Sequence, residues 1–277
     1  ETPRLAIRTT QSDRVDYANL DDLVADVELH GYYGGIRLIK AAIKKFTDYC
    51  QQQGIKLPAR NFTIEYDTTI PVRVGLAGSS AIVTATMRAL LAFYEVTAPK
   101  PILPGLILSA ELDELKIGAG LQDRVIQVYE GCVFMDFDQA YMEAHGHGSY
   151  EPLDPASLPP LFIAYHPHLA EGTEVTHNDL RARFNRREPA VLDAIAEWAG
   201  LAQEARNRLS AGKGDTIGPL LNQNFDLRRK LIRISPGNLK LVETGRRFGA
   251  YTKFAGSGGA IIGMYDGTPA TLKNLEQ

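Results

Sequence analysis

The sequence predicts an α+β protein with two lobes, and three observations favour this fold class. Strand-like and helix-like segments are mixed in both halves of the chain. A stretch rich in Gly, Pro, Asp and His at 138–160 lies between the halves and is interpreted as an excursion or a linker. Each half also contains a loop of glycine and serine beside regular elements. We therefore expect an N-terminal lobe at 1–157 and a C-terminal lobe at 158–277.

In the N-terminal half, alternating and β-branched residues predict strands at 5–9 and 62–69. Ile36, Ile39, Ile43 and Phe46 recur at helical spacing and predict a helix at 33–52. The remaining segments predict helices at 81–94 and 105–115, a short element at 125–129, and a strand at 132–137.

In the C-terminal half, the apolar run 161–165 predicts a short buried strand. Val191, Ile195, Trp198 and Leu201 would share one face of a helix at 188–210. Similar patterns predict helices at 216–232 and 238–248, and then strands at 249–255 and 260–265 on either side of a glycine loop.

Composition limits the possible functions. The chain has 277 residues, 44% of them hydrophobic, and a formal net charge of −3. Its scattered Lys and Arg residues form no basic stripe, which argues against a nucleic-acid partner. No apolar run approaches the ~20 residues that span a bilayer, and no signal peptide is visible. Cys50 and Cys132 are too few for a disulfide framework. These features predict a cytoplasmic protein without a membrane partner and leave its oligomeric state open.

The first glycine loop runs through Gly75, Leu76, Ala77, Gly78, Ser79, Ser80 and Ala81, directly before a helical pattern. Glycines allow close approach of the backbone to an anion, and the amides and dipole of a helix N-terminus attract negative charge. The serine hydroxyls could cap the helix, bind a phosphate oxygen or ligate Mg²⁺. A plain helix cap is the alternative interpretation.

The second glycine loop contains Gly256, Ser257 and Gly258, between two apolar runs. A tight hairpin without a ligand explains this loop equally well. However, two glycine-serine loops in one chain favour a shared anionic ligand. Neither loop has the spacing of a Walker motif or of a dinucleotide-binding fingerprint.

The first loop resembles the ATP-phosphate loop of the GHMP kinases, which are named for galactokinase, homoserine kinase, mevalonate kinase and phosphomevalonate kinase. Ala77 is one residue more than that loop pattern has. Several longer stretches resemble the glucuronokinase branch of the family, and the resemblance extends from about Arg4 to Gly267. These stretches are Gly31-Tyr-Tyr-Gly-Gly-Ile-Arg37, Gly120-Leu-Gln-Asp-Arg-Val-Ile-Gln-Val-Tyr129, His145-Gly-His-Gly148, Asn224-Phe-Asp-Leu-Arg-Arg229 and Lys253-Phe-Ala-Gly-Ser-Gly-Gly259.

The resemblance implies the two-lobe GHMP kinase fold, with a ribosomal protein S5 domain 2-like N-terminal lobe and a ferredoxin-like C-terminal lobe. It implies ATP and Mg²⁺ as cofactors and a small-molecule sugar or sugar acid as substrate, most closely the anomeric C1 hydroxyl of D-glucuronic acid. Two alternatives stay open: a GHMP kinase for galactose, arabinose, a heptose or another alcohol, and a non-catalytic nucleotide- or sugar-binding homologue.

The resemblance also implies roles for individual residues. Asp123 matches the carboxylate beside the acceptor hydroxyl, so it would act as general base or orient that hydroxyl. Its alternative role is a helix cap. Glu111 matches the glutamate that, with Ser80, holds Mg²⁺. A solvated charge on a helix face is the alternative for Glu111, and Asp113 or Glu114 could replace it.

A uronic acid would bring a carboxylate that arginine can bind through two hydrogen bonds. Arg124 and Arg228, or its neighbour Arg229, are the candidate partners, with ordinary surface ion pairing as the alternative for the last two. Asp226 and the backbone at Gly256 could contact the sugar, and so could Tyr32 and Tyr33. His145 and His147 are interpreted as loop residues because no other ligand stands at a metal-binding spacing.

One departure from the family pattern concerns the N-terminal strand. GHMP kinases carry a first motif there, and nothing before Gly31 supplies it. The sequence also begins with Glu1. We therefore expect the first strand and first motif to be missing from the N-terminal lobe of this chain.

Overall fold

The computed structural model describes residues 6–8, 35–71, 74–167, 169 and 180–276. The chain forms two compact units, one of Glu1–Ile70 with Ser79–Val128 and one of Pro71–Gly78 with Tyr129–Gln277. The segment between Tyr129 and residue 157 thus packs with the C-terminal part of the chain. The lobe boundary at residue 157 stays a prediction.

The first unit combines a short parallel strand pair with helices. Strand β1 (Ala6–Arg8) pairs with β2 (Thr63–Glu65), and Ile7 is opposite Ile64. The helical elements are α1 (Gly35–Gln52), α2 (Gly78–Phe93), α3 (Leu103–Ser109), a π-helix (Ala110–Glu114) and α4 (Leu121–Tyr129). All of these lie within or close to segments that the sequence predicts as regular structure.

The two long helices of this unit form because their apolar residues fall on one face. In α1, Leu38, Ala42 and Phe46 are buried at intervals of four residues. In α2, Val83, Met87 and Leu90 are buried at intervals of four and three residues. The same face of α2 begins at Ser80, which is also fully buried. The Ser80 side chain therefore belongs to the packed face of α2.

In the second unit, an antiparallel hairpin joins β3 (Cys132–Asp136) to β4 (Ser149–Leu153), with helix α5 (Gln139–His145) between the strands. The segment 138–160 therefore forms an excursion within this unit rather than a linker. Its turn-forming residues close this hairpin: Asp138 caps α5 by accepting a hydrogen bond from the Tyr141 amide at 2.8 Å, and Gly146 ends the helix in a left-handed conformation.

The second unit also contains a three-stranded antiparallel sheet in the order β5 (Leu161–Tyr165), β7 (Ala260–Met264), β6 (Tyr251–Phe254). Its core includes Phe225, Val242, Phe254 and Ile261. The helices of this unit include α6 (Pro189–Ser210), α7 (Gly218–Leu231), α8 (Pro236–Arg247) and α9 (Pro269–Leu275). The second glycine loop is the connection between β6 and β7.

Strand β5 exists as predicted, but the prediction that it is buried is wrong. Leu161, Ile163 and Tyr165 are exposed, Ile163 at 59%, while Phe162 and Ala164 pack against the core. Side chains alternate between the two faces of a strand, and β5 is an edge strand with only one face against the helices. An all-apolar run does not reveal this difference.

Among the helices that the structure describes, none has the length and the apolar character that a membrane span requires.

Candidate active site

In the second unit, the two glycine loops touch through their backbones. A Cβ atom on Gly256 would lie 2.6 Å from the carbonyl oxygen of Gly75, and a Cβ on Gly75 would collide with the backbone of Gly258. A Cβ on Gly259 would lie 3.3 Å from Val74. Only glycine therefore permits this approach of the loops. The contact brings together the two glycine loops that the sequence predicts to bind phosphate.

Two side chains hold the second glycine loop in place. The Arg228 guanidinium donates one hydrogen bond to the Gly256 carbonyl and one to the Ser257 carbonyl, both at 3.0 Å, while lying 5.0 Å from the Phe254 ring centre. Asn238 is fully buried, and its Oδ1 accepts from the Gly259 amide at 2.8 Å. These bonds fix the carbonyls and thereby the direction of the loop amides.

The first glycine loop leads into α2 through two left-handed residues, Gly75 and Ala77, with φ of 73° and 56°. A left-handed conformation at a non-glycine residue is uncommon and costs about 1 kcal/mol. Helix α2 begins at Gly78, so Ser79 and Ser80 lie in its first turn. Leu76 and Ala81 lie on either side of this turn and are partly buried.

In the first unit, helix α4 contacts the face of α2 that begins at Ser80. Gln127 Nε2 donates to Ser80 Oγ at 2.9 Å, and Thr84 Oγ1 donates to Gln127 Oε1 at 2.9 Å. One helical turn further along α2, Arg88 donates to the carbonyls of Gln127 and Val128. Gln127 is not among the site residues predicted from the sequence. The spacing of four residues between Asp123 and Gln127 on one helix could have indicated it.

Glu111, Arg124 and Asp123 are linked in the same unit. Glu111 and Arg124 are 1% and 3% exposed and form a direct ion pair. Arg124 Nη1 also donates to the Gly120 carbonyl at 2.9 Å and to Asp123 Oδ2 at 3.3 Å. The Asp123 side chain is 51% exposed in the first turn of α4. The interpretation of Glu111 as a solvated helix-face charge is therefore wrong, since its carboxylate is buried and paired.

The two acidic residues that follow Glu111 form ion pairs with helix α1. Asp113 pairs with Lys45 at 3.1 Å, and Glu114 pairs with Lys44 at 3.0 Å. These bonds and the π-helical turn place Glu111 on the inner side of the segment. Insertion of one residue into a helix changes the face on which the following side chains lie, and such turns are frequent at functional sites.

Asp226 and Arg229 make ion pairs within the second unit, and two further predicted residues lie outside the described ranges. Asp226 accepts from Arg246 at 2.7 Å, and Arg229 pairs with Glu243 at 3.4 Å on the surface. Thus Arg229 makes the ordinary surface ion pair that was its alternative interpretation. Tyr32 and Tyr33 lie outside the described residues.

The prediction of loop positions for His145 and His147 is wrong for His145. It is the last residue of α5 and stacks on Tyr141 with ring centres 4.0 Å apart. Within the described part of the chain, no three His, Cys, Asp or Glu side chains gather to hold a metal ion.

The Lys253 ammonium lies beside the second glycine loop and donates to the Phe254 carbonyl at 2.8 Å. Burial lowers the pKa of Lys253 to about 8, and the nearby Arg228 charge contributes to the shift. The folded protein therefore releases this proton at a lower pH than the unfolded chain does.

We expect Lys253→Met to stabilise the protein more at pH 7 than at pH 10. At pH 7 the native chain carries a charge that burial disfavours. Between about pH 8 and 10.5 the unfolded chain binds more protons, so the stability of the native chain rises toward that of the variant. The gap in melting temperature between variant and native chain, measured by thermal unfolding at both pH values, should shrink by roughly 4 °C.

Lys273→Met in the exposed helix α9 is the control, and its gap in melting temperature should not change with pH in this way. A gap for Lys253→Met that is equal at pH 7 and pH 10 would contradict the predicted shift.

The chemistry of the available donors fits Mg²⁺. Ser80 offers a hydroxyl oxygen and Glu111 a carboxylate, and Mg²⁺ prefers one or two such hard oxygen ligands together with phosphate oxygens and water. The three-carboxylate or histidine clusters of all-protein metal sites are not needed for a metal bound in this way. Glu111 can ligate the metal and still anchor Arg124 when its carboxylate is shared between the two.

Comparison with known proteins identifies the class to which this chain belongs. Residues 37–131 match the family described as the GHMP kinases N terminal domain. The chain is 41% identical to Glucuronokinase 1 of Arabidopsis thaliana over 96% of its own length and 74% of that protein. It is 42% identical to Probable glucuronokinase 2 of the same organism over 96% and 74%.

The structure of phosphomevalonate kinase from Streptococcus pneumoniae superposes with a TM-score of 0.66 at 18% identity, covering 99% of this chain and 82% of that one. This similarity shows the fold and confirms the predicted α+β class. The chain belongs to the GHMP kinase family, whose members are ATP-using small-molecule kinases. The resemblance seen in its motifs is confirmed.

Proposed function

We propose that this protein is an ATP- and Mg²⁺-dependent sugar kinase that phosphorylates the anomeric C1 hydroxyl of D-glucuronic acid. The observation that carries the proposal is the 41% identity with Glucuronokinase 1 over 96% of the chain. The contact between the glycine loops supports the nucleotide part, because converging backbone amides suit the oxygens of phosphate groups.

The proposed nucleotide contacts are the amides of Gly75–Ser80 and of Gly256–Gly258. Arg228 and Asn238 keep the second of these loops rigid, so little conformational entropy is lost when it binds. Ser80 and Glu111 would hold Mg²⁺, which when bound neutralises charge on the phosphate oxygens.

The proposed acceptor chemistry centres on Asp123. Its exposed carboxylate can orient the sugar hydroxyl and take its proton as the hydroxyl oxygen forms a bond to the γ-phosphorus and the bond to the β–γ bridging oxygen breaks. Arg124 donates to Asp123, and its own anchoring by buried Glu111 holds that carboxylate in place. The proposal thus gives Arg124 a positioning role toward Asp123.

For the uronate carboxylate, Arg228 is the better of the two predicted partners. Arg124 is buried and its guanidinium binds Glu111, whereas Arg228 is only partly buried. We therefore propose Arg228 for the carboxylate.

A kinetic comparison of matched sugars tests the acceptor. We expect kcat/KM for glucuronic acid to exceed that for glucose by about 10³-fold, because glucose has no carboxylate for Arg228 to bind. Assays with galacturonic acid, galactose, arabinose and a heptose complete the panel. A neutral sugar as the best substrate would support a different GHMP kinase. Retained ATP binding without phosphorylation of any acceptor would indicate a non-catalytic homologue.

A further inference from the structure

We propose that Gln127 is a positioning residue that fixes the Ser80 hydroxyl for the metal-bound nucleotide and links it to the helix that carries Asp123. The inference rests on the proposed role of Ser80 in binding Mg²⁺ and phosphate. The residues that carry it, Ser80, Thr84, Asp123 and Gln127, all belong to the first unit of the chain.

The side-chain amide of Gln127 is held by hydrogen bonds at both of its ends. Gln127 Nε2 donates to Ser80 Oγ, and Gln127 Oε1 accepts from Thr84 Oγ1, both at 2.9 Å. Ser80 and Thr84 are four residues apart on one face of α2, and they are 0% and 4% exposed. An amide held at both ends cannot rotate freely, so it restricts the directions in which the Ser80 hydroxyl donates and accepts.

The position of Gln127 on its own helix supports this role. Asp123 and Gln127 are four residues apart in α4 and therefore lie on the same side of it. The hydrogen bond from Gln127 to Ser80 thus restrains the distance between the start of α2 and the Asp123 carboxylate on α4. In-line phosphoryl transfer depends on such positioning, because the protein does little covalent chemistry itself.

This role differs from ordinary packing. Arg88 also joins α2 to α4, but it does so through the backbone carbonyls of Gln127 and Val128, at 2.7 and 3.3 Å. Arg88 therefore joins the two helices through backbone carbonyls, whereas the Gln127 side chain joins them through the Ser80 hydroxyl. A helix clamp would serve with Arg88 alone, so the polar bridge at Ser80 points to control of the hydroxyl.

The test uses calorimetric binding of a non-hydrolysable ATP analogue, measured with and without Mg²⁺, together with thermal unfolding. The relevant quantity is the ratio of the two dissociation constants, which reports how much Mg²⁺ strengthens nucleotide binding. We expect Gln127→Met to reduce this ratio about tenfold while changing the metal-free constant less than about twofold. Arg88→Met should lower the melting temperature but leave the ratio unchanged.

Thr84 provides a second pair of variants in case Gln127→Met does not fold. Thr84→Val removes the hydroxyl that holds Gln127 and should reduce the ratio about threefold, whereas Thr84→Ser keeps the hydroxyl and should preserve it. An unchanged ratio in both Gln127→Met and Thr84→Val would overturn the inference, and so would a native protein whose nucleotide binding gains nothing from Mg²⁺. If glucuronic acid is not phosphorylated but the ratio responds as expected, the acceptor proposal fails and the role of Gln127 stands.

Discussion

Asp123→Ala is expected to lower turnover with glucuronic acid by at least ~10²-fold while leaving nucleotide binding nearly unchanged. The variant removes the carboxylate that orients the acceptor hydroxyl, but it leaves both glycine loops and the Ser80–Gln127 bond intact. Because the Asp123 side chain is half exposed, the substitution creates no core cavity. Steady-state kinetics with saturating ATP and calorimetry with an ATP analogue would measure the two effects separately.

Asp123→Asn and Asp48→Ala sharpen this test. Asparagine keeps the size of the side chain but cannot accept the hydroxyl proton, so its turnover should fall nearly as far as that of the alanine variant. Asp48 pairs with Lys44 at 2.7 Å on the surface of α1, and its loss should leave turnover unchanged. Equal activity in Asp123→Ala and the native protein would exclude Asp123 from the mechanism.

Gly256→Ala is expected to weaken ATP binding about tenfold or more and to lower the melting temperature. The added Cβ would stand 2.6 Å from the Gly75 carbonyl oxygen, and neither of the two backbones can move without displacing a glycine loop. Overpacking of this kind costs about 1–3 kcal/mol, which corresponds to one to two powers of ten in an equilibrium constant. Calorimetry and thermal unfolding of the same preparation measure both consequences.

Gly200→Ala is the matched control for this variant. Gly200 lies within α6 and would place its Cβ in open space, so the same chemical change should raise helix stability slightly and leave ATP binding unaltered. Native affinity and native melting temperature in Gly256→Ala would show that the loops do not depend on their close contact.

Local patterns were sufficient to predict most elements of the fold. The 3–4 residue spacing of the apolar side chains in α1 and α2 reflects burial of one helix face, and a single sequence displays it directly. Composition leaves 138–160 open as an excursion or a linker because its glycines and histidines are typical of loops, whereas pairing with β3 makes residues 149–153 a strand. Strand pairing joins residues that are distant in sequence, so local composition does not report it.

The candidate site, like the fold, is predictable from the sequence only in part. Gly75, Ser80, Asp123 and Gly256 were identified as candidates because glycine loops, hydroxyls and a carboxylate have recognisable chemistry and the motifs resemble those of a known family. Gln127 was not identified because a glutamine on a helix has no such signal, and its importance comes from the facing hydroxyls of Ser80 and Thr84.

The sequence alone determined the α+β class, the helical faces, the two glycine loops and the family, because these depend on residue type and on spacing along the chain. Only the tertiary structure decided that the backbones of the two loops touch, that Glu111 is buried against Arg124, and that Gln127 bridges two helices. The physical reason is that these three features are contacts between residues 13 to about 180 positions apart, and burial and pairing across such separations exist only after the chain has packed.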